Sequence, residues 1–130
     1  MTGRSGTLSV LVGAIALAGF AGPAGAQGDA ERGEQVFKKC ADCHSLEPGK
    51  VKIGPPLHGV FGRKAGSVQG FRYSKAMKSA DIVWSADILD KYLAAPKTFI
   101  PGNRMPFPGL KKAADRADLI AYLEQASGAE

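Results

Sequence analysis

The chain has 130 residues, with 17 Lys and Arg against 12 Asp and Glu, a formal charge of +5 at pH 7. That length holds one small domain, and no internal repeat, low-complexity tract or linker divides it, so a second domain is excluded. The basic excess points to an acidic partner surface; with no binding motif to support it, nucleic acid is a poor candidate.

In chain order, the first feature is an export leader. Arg4 supplies a positive start, Leu8 to Ala21 is an apolar run, and Ala24-Gly25-Ala26 is a small-residue cleavage signal. Residues 1–26 are therefore read as a cleaved signal peptide and 27–130 as the domain, which implies a periplasmic location. The rival is an uncleaved anchor over residues 8–21. That run is short for a membrane span, and Gly13, Gly19, Gly22 and Pro23 weaken it.

A helix follows over Asp29 to Lys39, with Asp29 as N-cap and Gly33, Val36 and Phe37 at helical spacing. It leads directly into Cys40-Ala41-Asp42-Cys43-His44. Two thiols three positions apart can add across the two vinyl groups of a haem, and the adjacent imidazole can then ligate its iron. The same C-x-x-C also occurs in redox dithiols and zinc sites. A dithiol of the thioredoxin kind would sit in a βαβ pattern and lack the adjacent His. A zinc site would need two more ligands, and His58 is the one other histidine. A disulfide across so short a loop would constrain the unfolded chain little.

Two more helices are expected. Ser85 to Ala94 has a serine cap, Asp87 in its first turn and apolar Ile88, Leu89, Tyr92 and Leu93, with Pro96 ending it. Ala114 to Ser127 carries Leu119, Ile120, Tyr122 and Leu123 on a broad apolar face, with Gly128 as C-cap. Between the helices, residues 47–70 and 98–109 read as Gly- and Pro-rich loops, and Met77 lies in a short helical stretch. No segment reads as a sheet. The fold class is all-α: three main helices plus short helical turns and loops around one prosthetic group, which would supply much of the core of so small a domain.

The order of motifs resembles that of class I cytochromes c, of the mitochondrial type and the short bacterial cytochromes c2. The resemblance covers roughly residues 28–126. It rests on Gly33, Phe37, Cys40-x-x-Cys43-His44, Gly54-Pro55-x-Leu57-x-Gly59, Phe61-Gly62-Arg63, Gly70-Phe71-x-Tyr73, Trp84, Tyr92-Leu93-x-x-Pro96, Ile100-Pro101-Gly102-x-x-Met105-x-Phe107-x-Gly109, and Asp118-Leu119-Ile120-Ala121-Tyr122-Leu123. The resemblance implies a single haem c held by thioethers to Cys40 and Cys43, with His44 and Met105 as the axial iron ligands. Pro55 would accept the ring N–H of His44. Tyr73 and Trp84 would bond a haem propionate and Arg63 would offset its charge. Tyr92 and Phe107 would complete the pocket, with Tyr92 near Met105. Gly33 and Phe37 would pack against Leu119 and Tyr122 as fold residues rather than site residues. His58 would lie at the surface.

Two positions depart from the family pattern: Met77, where a polar residue is common, and Asn103, where a threonine often completes the network beside Met105. The resemblance further implies a monomeric one-electron carrier, not an enzyme, working between membrane or periplasmic complexes whose acidic faces would dock on Lys38, Lys39, Lys50, Lys52, Lys97, Arg104, Lys111 and Lys112. The alternative is a haem enzyme or gas sensor of peroxidase-like type, with a labile distal ligand.

Overall fold

The computed structural model describes residues 27–128, together with residues 1–3, 6 and 19. Gly19 apart, the leader's apolar run and its cleavage signal lie outside the described residues. Among the described residues five helices form: α1 (Ala30–Phe37), α2 (Lys75–Ser79), α3 (Ala86–Ala94), α4 (Pro96–Phe99) and α5 (Ala113–Ala126). Among the described residues there is no strand, only an isolated antiparallel bridge between Lys64 and Val83.

Local chemistry sets the helix ends. The Asp29 carboxylate accepts from Arg32 N at 3.0 Å and opens α1. The Ser74 and Ser85 hydroxyls do the same for α2 and α3, accepting from Met77 N at 3.1 Å and Ile88 N at 3.2 Å. A cap of this kind contributes about 1 kcal/mol. Gly128, at φ +72°, follows the last turn of α5.

Two boundaries differ from expectation. α1 stops at Phe37 rather than Lys39, because the chain tightens into successive turns: Cys40 N and Ala41 N both donate to Phe37 O. The segment 98–109 is not loop from its start. Pro96 blocks the continuation of α3, yet its fixed φ suits the first position of a new helix, so one residue ends α3 and begins α4.

α1 and α5 pack against each other more extensively than any other pair of helices. They cross at Gly33, where a Cβ would come within 1.9 Å of the Asp118 carbonyl oxygen and 2.7 Å of Tyr122 Cβ. No side chain can be accommodated there without separating the helices. Beside the crossing, the Phe37 and Tyr122 rings lie 5.4 Å apart. A charged cluster locks the same junction. The Asp118 carboxylate, only 7% exposed, accepts from Asp29 N at 2.7 Å and from Arg32 Nε at 3.0 Å. Two residues before Asp118 in α5, Arg116 pairs with Asp90 of α3 at 2.7 Å and donates to Leu110 O at 2.8 Å.

The hydrogen bond from Arg32, then that from Asp29 N, hold the Asp118 carboxyl below the usual carboxylate range, with burial opposing them. A depressed folded-state value stabilises the fold above the unfolded carboxylate range and is lost as pH falls through the folded value. Asp118→Asn is therefore expected to lower the denaturant midpoint of the haem-loaded protein at pH 7, with the gap from wild type narrowing below about pH 4. Urea titrations at pH 7 and pH 3 decide the point; a gap of equal size at both would show that the carboxylate charge plays no part.

Candidate functional site

The turns after α1 bring the C-x-x-C-H residues to one wall of an internal cavity. His44 N donates to Cys40 O at 2.9 Å, so the motif is wound as a single turn rather than extended. The loop that follows folds back on it: Gly54 N donates to Cys43 O at 2.7 Å, and His44 Nδ1 lies 2.7 Å from Pro55 O. Donation from Nδ1 to that carbonyl puts the proton on Nδ1 and leaves Nε2 with its lone pair, the form a metal requires. Burial pulls the His44 value down, partly offset by the Pro55 carbonyl, which keeps the ring neutral at pH 7.

Both thiols are free. Burial, then the neighbouring Cys43, push the Cys40 thiol up to about 11. A redox dithiol works through a depressed thiol pKa, so this environment is the opposite of what that reading needs. Among the described residues no group of three or more His, Cys, Asp and Glu could hold a metal ion, which also disfavours the zinc reading.

Met105, on the segment after α4, lines the same cavity. The Tyr92 hydroxyl donates to Met105 Sδ at 3.8 Å. Burial pushes the Tyr92 phenol up to about 12, so it remains a proton donor throughout the physiological range. Asn103, 6% exposed, lies beneath the same segment: its amide donates to Pro96 O at 2.8 Å and Ile100 O at 2.9 Å and accepts from Met105 N at 3.0 Å.

The cavity these residues line has a volume of about 470 Å³, within the roughly 300–1,000 Å³ of small-molecule and cofactor sites. Its lining is mainly apolar, from Phe37, Leu57, Phe71, Leu89, Leu93, Phe107, Leu119 and Leu123, with Trp84 and Tyr92 packed together at 5.0 Å between ring centroids. The helices thus present their apolar faces to a group the chain itself does not provide. The charges in the lining are Lys39, Arg63, Arg72 and Arg104, with no Asp or Glu. An apolar disc bearing two carboxylates, flanked by a thiol pair, an imidazole nitrogen and a thioether, suits this lining. The residues present therefore fit haem c.

Tyr73, Trp84 and Arg63 all line the cavity. The Tyr73 hydroxyl accepts from Val68 N at 3.2 Å and keeps its own proton to donate. Arg63 donates to Pro56 O and His58 O, each at 3.0 Å, using two of its five N–H donors. His58 is exposed and does not line the cavity; its ring covers Gly128, where a Cβ would meet it at 2.5 Å. The division into fold residues and site residues needs correction, because Phe37 and Leu119 both line the cavity as well as packing α1 on α5. One apolar side chain can turn one edge to a neighbouring helix and another to a cofactor space, and spacing alone does not separate the two. Leu89 and Leu93 of α3 and Leu123 of α5 line the cavity as well, for the same reason, and Arg72 adds a charge that no motif in the sequence marks.

Of the basic residues considered for docking, Lys39 and Arg104 reach the cavity lining. Lys38, Lys50, Lys52, Lys97, Lys111 and Lys112 are exposed but outside it. Lys52 donates to Ala41 O, Lys38 to Gln35 Oε1 at 2.5 Å, and Lys50 pairs with Glu47 at 2.8 Å.

Comparison with known proteins gives a consistent result. The family model described as cytochrome c matches residues 30–127. The chain is 55% identical over 101 residues to a cytochrome c of Cochliobolus lunatus, covering 76% of this chain and 94% of that protein. It is 47% identical over 117 residues to a cytochrome c2 of Blastochloris viridis, covering 89% and 91%. Among solved structures, cytochrome cH from Methylobacterium extorquens aligns with a TM-score of 0.72 at 41% identity, over 75% of this chain and 99% of that one.

Gly54 closes the His44 side tightly enough to be tested. A Cβ there would lie 2.6 Å from His44 Cε1 and 2.8 Å from its Nδ1, so Gly54→Ala must move the ring off Pro55 O. Overpacking of this kind costs about 1–3 kcal/mol. The haem-loaded variant is expected to melt several degrees below wild type with a weakened low-spin absorption spectrum. A wild-type melting curve and spectrum would show that the ring is not confined there.

Proposed function

The chain belongs to the cytochrome c family, whose members carry electrons on covalently attached haem c, and on that premise we propose that Cys40 and Cys43 are its thioether anchors and His44 and Met105 its two axial ligands. The observation that carries this reading is that Cys40, Cys43, His44 and Met105 all line one mainly apolar cavity. Haem bound there supplies one-electron Fe(III)/Fe(II) chemistry; the chain supplies orientation, polarity and exclusion of water.

Each protein group has a physical task in that reading. The Pro55 carbonyl fixes the His44 ring and makes it a better donor. The Met105 thioether is soft and weakly basic, which favours ferrous iron and raises the reduction potential. Tyr92 holds the sulfur by its O–H. The apolar lining limits solvent, and Arg63 with Tyr73 and Trp84 receives the propionates. With both axial positions held by side chains, no position is left for a substrate, which supports a carrier over an enzyme. The peroxidase-like alternative requires a labile distal ligand, and the hydrogen bonds around Met105 weigh against it.

The setting we propose is periplasmic: the chain is exported by residues 1–26, works as a monomer and shuttles between larger redox complexes, from a cytochrome bc1-type complex to a terminal oxidase or photosynthetic reaction centre. No helix among the described residues is long and apolar enough to cross a membrane. The Lys39 and Arg104 side chains in the cavity lining, with the exposed lysines beyond them, would steer an acidic partner to the place where the cavity opens.

Two experiments test this. Met105→Ala should lose the far-red band of thioether-bound ferric haem, admit added ligands and lower the potential, whereas Met77→Leu, although Met77 also lines the cavity, should keep the band. The reverse pattern would overturn the ligand assignment. For docking, electron transfer to a natural partner should slow as ionic strength rises, since such steering is screened over about 8 Å in physiological salt. Lys97→Glu or Lys111→Glu should slow it further with the spectrum unchanged. Lys91, paired with Asp87 at 2.9 Å on α3, is the control: an equal loss from Lys91→Glu, or rates indifferent to salt, would reduce the lysines to a solvated surface.

A further inference from the structure

We propose that Asn103 is the positioning residue that keeps the Met105 segment closed, and so sets how readily the distal side of the haem can be reached by an outside ligand. The inference rests on Met105 being the distal ligand, as proposed above.

The Met105 segment has no regular structure of its own to hold it. From Ile100 to Leu110 it runs outside any helix, and its first main-chain tie to α3 comes at the far end, where Leu110 N donates to Leu93 O at 2.7 Å. Nearer Met105 the main restraint on the backbone comes from one side chain. Asn103 is buried and uses both ends of its amide: a donation to Pro96 O at 2.8 Å ties the segment to α4, a second to Ile100 O at 2.9 Å closes the turn at its start, and its oxygen accepts from Met105 N at 3.0 Å. This arrangement also settles which end of the amide is which. Two carbonyls need the NH₂ group and one N–H needs the oxygen, so the flipped amide would oppose all three partners.

A threonine or serine hydroxyl has one proton and could not donate to two carbonyls at once. An aspartate could accept from Met105 N but would set a carboxylate against Pro96 O and Ile100 O. Asn103 is thus specifically matched to this corner, and the main-chain N–H it binds belongs to the ligand residue itself. The Tyr92 hydroxyl restrains the sulfur from the other side, at 3.8 Å. With Asn103 gone, Met105 would be held by that weak contact and by packing.

The affinity of an outside ligand that needs Met105 displaced scales with the fraction of molecules in which the segment is open. Loss of two or three buried hydrogen bonds should raise that fraction roughly tenfold or more. The test uses the haem-loaded ferric protein and imidazole as probe. Asn103→Leu and Asn103→Asp are expected to show the far-red thioether band before imidazole is added, to bind imidazole roughly tenfold or more tightly than wild type, and to lose the band on heating before the fold unfolds. Ile120→Val is the control for general destabilisation, because Ile120 is buried in α5 and does not line the cavity; it should leave imidazole affinity near wild type. Equal affinity in wild type and both Asn103 variants, or a matching rise in Ile120→Val, would overturn the proposal. A wild-type protein without the far-red band would instead remove the ligand assignment, and this inference with it. Should neither Asn103 variant fold, hydrogen exchange on the wild type decides: the Met105 amide must be protected well beyond its exposed neighbour Arg104, and an unprotected Met105 amide rejects the clamp.

Discussion

The crossing of α1 and α5 at Gly33 is the contact from which the site is built. Helices that touch backbone to backbone leave no freedom in their separation, and the Asp118 carboxylate bonded to Asp29 N and Arg32 fixes their rotation as well. Phe37 then ends α1 at a set place, and the turns that follow deliver Cys40, Cys43 and His44 to one wall of the cavity. α5 contributes Leu119 and Leu123 to the same cavity, and its Arg116 joins it to α3, which supplies Leu89, Tyr92 and Leu93. The same close approach continues just before α1, where a Cβ at Gly28 would meet the Ala117 carbonyl oxygen at 1.9 Å.

Burial in the cavity wall selects the neutral form of the groups that face it. The Cys40 thiol and the Tyr92 phenol are pushed up, and the His44 imidazole is pulled down, in each case with desolvation as the largest cause. The consequence is a lining with a neutral donor nitrogen and a protonated phenol, while its charge is confined to cations. Low polarity around the ligands and positive charge toward the propionates are what a carrier needs to stabilise added electron density without admitting water.

The two departures from the family pattern act in different ways. Met77 puts a flexible apolar side chain in the cavity lining, and the Tyr92 hydroxyl has the Met105 sulfur as its hydrogen-bond partner among the described residues. Asn103 spends its hydrogen bonds at the corner between α4 and the Met105 segment rather than in the cavity, whose lining does not include it.

Much of this was legible in the residues alone because it is local. Caps at Asp29 and Ser85 act within one turn, and C-x-x-C-H is a single turn whose spacing matches the cofactor directly. The all-α character followed from apolar spacing on three segments. What the residues alone did not disclose depends on distant partners or on one residue serving two elements. α4 was hidden because Pro96 read only as the end of α3. Phe37 and Leu119 read as packing because an apolar helix face has the same periodicity whether it meets a helix or a cofactor. Asn103 was visible as a departure from the family pattern, but its meaning lies in the carbonyls of Pro96 and Ile100, brought within reach by α4 and the turn that follows it. Hydrogen-bonding capacity is a property of the side chain; the partners that satisfy it are decided by tertiary structure.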